Sequence, residues 1–106
     1  MLIVTQTEAE AIQMGEKVAT LRPIRANGKG YCRVGSIQQI RDSRNFKAPY
    51  VCKIQIMARE FVNIEDLKEA DFKALRYPNK SEYMRQSYNL KNPNPCRVRY
   101  WFEVIE

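Results

Sequence analysis

Between Tyr50 and Phe61 the chain alternates in type. Val51, Lys53, Gln55 and Met57 fall on one side, Cys52, Ile54, Ile56 and Ala58 on the other. A period of two is the signature of a strand. The polar members of the first set and the apolar second set predict one wet face and one dry face. The last segment repeats the pattern: Val98, Tyr100, Phe102 and Val104 alternate with Arg97, Arg99, Trp101, Glu103 and Ile105. Lys17 to Ile24 reads as a shorter strand. Val18, Thr20, Arg22 and Ile24 share one side, Lys17, Ala19 and Leu21 the other, and Pro23 confines it to an edge or a strand end. Ser36 to Arg41 is a further strand.

The helical signals are short. Thr5 or Thr7 can cap a helix whose first turn carries Glu8 and Glu10, where negative charge is favoured, and Gly15 closes it. About two turns cannot stand alone, so this helix must pack on a sheet. Asn63 caps a second short helix, Ala70 to Leu75 forms a third, and Ser81 opens a fourth that includes Tyr83, Met84, Tyr88 and Leu90. Asn27-Gly-Lys-Gly30 and Asn92-Pro-Asn-Pro95 read as turns. Strands and helices do not alternate regularly, so a doubly wound fold is not expected. The prediction is a mixed α/β (α+β) fold, a curled sheet or pseudo-barrel of five or six strands with flanking short helices, and one domain over residues 1–106.

Charge narrows the partners. The net charge is +6, and from Lys17 to Arg41 there are six basic residues and no acidic one. Such segregation suits phosphate. No apolar run approaches the roughly 20 residues of a membrane-spanning helix, and no membrane partner or secretory signal is expected. The three cysteines are far apart and histidine is absent. A zinc site or a disulfide framework is therefore poorly supported, no cofactor is expected, and the cysteines read as small buried residues of a reducing, cytoplasmic setting. Without histidine no Ser-His-Asp or Cys-His arrangement can form. No glycine-rich phosphate loop is present either. Glu65, Asp66, Glu69 and Asp71 read as caps and solvated faces.

What remains is Gly15-Glu-Lys-Val-Ala-Thr-Leu-Arg22. Lys17 can hold a phosphate or a polarised carbonyl. The Thr20 hydroxyl can donate, accept or attack, and Arg22 can meet phosphate in a bidentate way. An ordinary edge strand with solvated ends would carry the same residues.

This segment resembles the G-x-K-x-x-T-x-R signature of the ASCH domains, relatives of the PUA domain. Tyr31-Cys-Arg-Val-Gly-Ser-Ile-Gln38 resembles their Y-x-V-G-D segment, with Ser36 in place of the usual aspartate. The strand at Tyr50 to Phe61, the segment Ile64 to Asp71, Tyr83 and the closing strand Val98 to Val104 follow in the family's order. The resemblance spans about residues 8 to 105. It implies RNA binding in a cleft between barrel and helices. In some small members it implies an amidohydrolase that removes an acyl group from the exocyclic amine of modified cytidine. There a lysine and a threonine at the spacing of Lys17 and Thr20 are catalytic, together with a glutamate from the helical segment. Leu75 stands at that glutamate's place, and Glu69 or Glu82 substitutes only if the backbone differs.

The expected function is therefore an RNA- or nucleotide-binding module with a basic cleft around Lys17, Thr20 and Arg22, with Arg33 and either Arg41 or Arg44 near its rim. DNA is the alternative nucleic acid. An amidohydrolase on N-acylated cytidine-type nucleosides, a nuclease and a small protein-interaction domain are the other readings. Lacking its carboxylate, the chain is expected to be inactive or very slow as such an amidohydrolase. Tyr31 and Tyr50 flank the basic half and are candidates for base stacking. Phe61, Phe72 and Phe102 are assigned to the core.

Overall fold

Strand β4, Cys52–Asn63, is the centre of a curled five-stranded sheet. The computed structural model describes residues 2–24, 31–43, 45, 47–85, 91 and 94–105. The other strands are β1 (Leu2–Ile3), β2 (Ala19–Pro23), β3 (Ile37–Arg41) and β5 (Cys96–Val104), and the order across the sheet is β1-β3-β4-β5-β2. β1 runs parallel to β3, and the remaining pairs are antiparallel. Pro23 ends the edge strand β2, where its missing N–H disrupts no interior ladder. The two edges are tied across the curl, since Arg22 Nη2 donates to Ile3 O at 3.2 Å.

Helix α1 spans Gln6–Gln13, capped by Thr5, whose Oγ1 accepts from Glu8 N at 3.2 Å. It ends at Gly15, which adopts φ +78°, a conformation that costs other residues strain. A 3₁₀ turn, Ile64–Asp66, follows β4 and is capped by Asn63. Helices α2 (Glu69–Ala74) and α3 (Lys80–Met84) complete the chain order. Asn79, not Ser81, caps α3, its side chain accepting from Glu82 N at 2.9 Å. Tyr88, Leu90 and the loop at Asn27–Gly30 lie outside the described residues. Among the described residues no helix is long and apolar enough to cross a membrane.

Each face of the sheet has its own core. Ala9 and Ile12 of α1 press on Ile40, Ile54, Ile56, Val98, Tyr100 and Phe102. On the opposite face Ala19 and Leu21 of β2 pack with Ile64, Phe72, Leu75 and Tyr83. Arg97 is fully buried on this second side; its Nε donates to Tyr83 Oη at 3.2 Å, and Nη1 donates to the carbonyls of Asn94 and Cys96. Those bonds meet the cost of burying a guanidinium.

The strict alternation expected through Ala58 breaks in the middle of β4. Ile56 pairs with Phe102, but Ala58 pairs with Trp101, so Met57 is an extra residue, a bulge. Side chains beyond it exchange faces. Ala58 turns to the α2 side, and Arg59 and Phe61 turn to the α1 side. Phe61 lands at the periphery and is 59% exposed, which removes it from the core, whereas Phe72 and Phe102 are buried as expected. Of the cysteines, Cys52 is buried and burial pushes its thiol pKa up, Cys32 is half-buried, and Cys96 is exposed because it opens β5 at the sheet's end.

Candidate functional site

The turn after α1 delivers Lys17 to the flank of the helix it follows. Glu16 N and Lys17 N both donate to Ala11 O, at 2.9 and 3.1 Å, as the chain folds back at Gly15. Glu8 lies one turn before Ala11 on the same helix face. Its Oε1 sits 2.6 Å from Lys17 Nζ, with Lys17 buried and the Glu8 side chain 20% exposed. Thr20 Oγ1, from β2, donates to the same oxygen at 3.5 Å. One carboxylate oxygen is thus shared by the two residues singled out by spacing.

A second element closes over this group. Arg76 takes φ +68°, the left-handed region that a side chain rarely adopts. The reversal ends α2, with Tyr77 N donating to Phe72 O at 2.9 Å. It also brings the Tyr77 ring to 5.3 Å from Lys17 Nζ. Tyr77 is braced by an edge-on contact with Tyr83, centroids 5.2 Å apart. Arg76 Nη2 meets Glu16 Oε2 at 3.4 Å across the rim.

Between α1 and this turn lies a cavity of about 390 Å³. Lys17, Glu8, Glu10, Glu16, Leu75, Arg76 and Tyr77 line it, with Thr5, Thr7, Ala11 and Met14. The size lies within the range of small-molecule sites. The cavity is not the basic cleft expected from charge segregation, since three glutamates face two cations there. Burial pushes the pKa of Lys17 down, Glu8 opposes the shift, and the Arg22 charge adds to it. Lys17 therefore releases a proton more readily than a free lysine.

The other residues singled out from the sequence disperse. Thr20 is buried behind Glu8 and is not on the cavity wall. Arg22 shares the face of Thr20 on β2, but its guanidinium bonds to Ile3 O, and its buried Nε has no hydrogen-bond partner among the described residues. Arg41 donates to Ala48 O at 2.8 Å and to Gln39 Oε1 at 3.0 Å, holding the loop after β3. Arg33 is exposed on the segment before β3, and Tyr31 packs edge-on against Phe61. Tyr50 carries Lys53 Nζ 5.3 Å from its ring centroid, and Arg44 lies outside the described residues. None of the described residues among these lines the cavity with Lys17.

Leu75 lines the same cavity as Lys17, so no carboxylate comes from that position. Neither Glu69 nor Glu82 lines it. Glu82 instead accepts from Arg85 Nη1 at 3.0 Å. The carboxylate that does meet Lys17 is Glu8, from α1. Glu8 follows the cap residue Thr5 at capping-box spacing, so its local pattern reads as a helix start. Its closeness to Lys17 appears only in space.

No family model and no curated protein matches the sequence. Solved structures do. An ASCH domain from Lactobacillus crispatus JV V101 superposes with a TM-score of 0.70 at 19% identity, over 92% of this chain and 70% of that one. The fold is that of an ASCH domain. A protein of Enterococcus faecalis V583 superposes with a TM-score of 0.73 at 16% identity, over 92% of this chain and 66% of that one. A point variant of the ASCH protein of Zymomonas mobilis gives 0.70 at 13% identity, over 99% of this chain and 70% of that one.

Proposed function

We propose that this ASCH-fold chain is a nucleotide-handling protein whose cavity binds an N-acylated nucleoside of the cytidine type and hydrolyses its amide. The observation that carries the reading is the sharing of Glu8 Oε1 between Lys17, which lines the cavity with Glu8, and Thr20 behind them. The absence of a carboxylate was the reason to expect no turnover, and Glu8 removes that reason.

The geometry supports the following roles. Amide hydrolysis needs an attacking oxygen, a group that takes its proton and returns it to the leaving amine, and a positive group facing the oxyanion. Glu8 faces the cavity and accepts a proton from an attacking water. The water oxygen bonds to the acyl carbon, and the carbonyl electron pair moves to the oxygen facing Lys17. When the C–N bond breaks, Glu8 returns the proton to the exocyclic amine. Thr20 donates to Glu8 from the strand side and holds its orientation, a positioning role rather than nucleophilic attack. Tyr77 covers Lys17 and offers a flat wall to a base. The excess of glutamates disfavours phosphate, and the volume suits a single nucleoside.

A second reading is a nucleoside-binding module without turnover. The 3.5 Å length of the Thr20 contact favours it, since that bond is at the outer limit of hydrogen bonding. Incubating the protein with cytidine acetylated on its exocyclic amine, and following release of cytidine, decides between them. Turnover lost in Glu8→Gln supports hydrolysis. Calorimetric binding without turnover supports the second reading, and neither binding nor turnover overturns both.

A further inference from the structure

The cavity leaves the chain's positive charge unused, and an exposed aromatic site elsewhere on the sheet matches it. The bulge at Met57 turns Arg59 and Phe61 onto the α1-side face. Phe61 pairs with Val98 in the ladder, so it stands on a strand rather than on a loose loop. It is 59% exposed, although an apolar ring of its size gains by burial. The Tyr31 ring meets it edge-on, 5.4 Å between centroids and 81° between planes. The Arg59 guanidinium lies 5.9 Å from its centroid and is held there by a bond from Nη1 to Cys32 O at 3.1 Å. Cys32 N in turn donates to the buried Tyr100 Oη at 2.9 Å, which anchors the segment to the core. The exposed ring is therefore framed by hydrogen bonds before any ligand arrives.

The charges on the segments that frame it are basic. Arg33 is exposed on the anchored segment, Arg59 is exposed on β4, and residues 31 to 41 contain no acidic side chain. Glu60, between Arg59 and Phe61, points to the other face and accepts from Arg99. A fixed aromatic ring beside an arginine is the chemistry that recognises an unpaired base and its phosphates. We propose that the face formed by Tyr31, Arg59 and Phe61 is a stacking site for single-stranded nucleic acid, with a base against Phe61 and the adjoining phosphates on Arg59 and Arg33. The site is separate from the Lys17 cavity and does not depend on turnover there.

The test is fluorescence anisotropy with a short labelled single-stranded RNA, its DNA counterpart and the matching duplex, at several salt concentrations. The parent binds the single strands more tightly than the duplex. Phe61→Ala weakens binding by roughly tenfold and leaves the salt slope unchanged, and Phe61→Trp restores affinity. Arg59→Gln and Arg33→Gln weaken binding and flatten the slope, by about 0.7 each. Thermal unfolding confirms that each variant folds, which the exposure of all three residues favours. Three results would overturn the proposal: no binding by the parent at low salt, equal binding of duplex, or affinity unchanged in Phe61→Ala. Sedimentation in which Phe61→Ala dissolves a dimer of the parent would assign the face to a second copy instead. Nucleoside binding at the cavity is measured in parallel and stays unchanged in the Phe61 variants, so failure at one site is distinguishable from failure at the other.

Discussion

Glu8 Oε1 and Lys17 Nζ lie 2.6 Å apart although the two residues are nine positions apart in sequence. The helix between them is the reason. Two turns of α1 followed by the reversal at Gly15 bring the first turn and the chain beyond the helix to one flank. The pair is wedged between the edge strand β2 and Tyr77, so its two charges face one another in a partly dry site. There they interact more strongly than they would in water.

Turnover separates the three residues of the site. Glu8→Gln is expected to lower hydrolysis of the acylated nucleoside by about 100- to 10,000-fold, the usual contribution of a positioned acid-base group. Lys17→Met removes the positive charge facing the oxyanion and lowers kcat, with nucleoside affinity less affected. Thr20→Ala loses less than Glu8→Gln, and Thr20→Ser keeps most of the activity, because the hydroxyl acts through Glu8. Complete loss in Thr20→Ala with an acylated Thr20 trapped in the parent would instead make the threonine the nucleophile. Rapid-quench mass spectrometry reads that directly.

Titration of Lys17 tests its surroundings. Burial lowers its pKa below 10.5, and Glu8 holds it partly up. An NMR titration of the lysine side chain should therefore show a further fall in Glu8→Gln. The sign for stability follows from linkage. Between the lowered folded value and 10.5 the unfolded chain binds more protons at this site than the folded one, so the Lys17 contribution makes stability rise with pH across that window. Denaturant unfolding of Lys17→Met should lack this rise.

Acid should act through a different pair. The side-chain hydrogen bond from Arg99 holds the Glu60 carboxyl below its usual 4.5, and Trp101 Nε1 adds a bond at 3.3 Å. The stability this contributes is fully present above 4.5 and is lost as pH falls through the lowered folded value. Glu60→Gln should remove that part of the acid dependence while leaving the behaviour of Lys17 at alkaline pH unaltered. Parallel pH titrations of the unfolding midpoint check both statements.

Arg22 should matter to the fold as well as to charge. Its bond to Ile3 O joins the two edge strands. Arg22→Met keeps the length and removes the donor, at an expected cost of about 1.5 kcal/mol. Hydrogen exchange should rise first at Leu2 to Val4, where β1 has only two residues to hold it. An unchanged exchange rate there would show that the ladder with β3 suffices.

The sequence by itself determined the mixed class of the fold, the short helices, and the dry face formed by Cys52, Ile54 and Ile56. These follow from local periodicity and capping, which act over a few residues. It also marked Lys17 and Thr20 through their spacing. Only the tertiary structure decided that Glu8 joins them, because a capping residue and a site residue share the same local pattern. Only the tertiary structure placed Phe61 outside the core: the bulge formed in pairing with β5 turns it to the α1 side, yet at the far end of β4 its ring stays 59% exposed. Charge segregation along the chain likewise did not become a basic cavity. Arg22 is bound to the opposite edge strand, and Glu10 and Glu16 enter the cavity wall from α1 and its turn. The charge at a site is set by which side chains converge in space, and residues adjacent in sequence can face different surfaces.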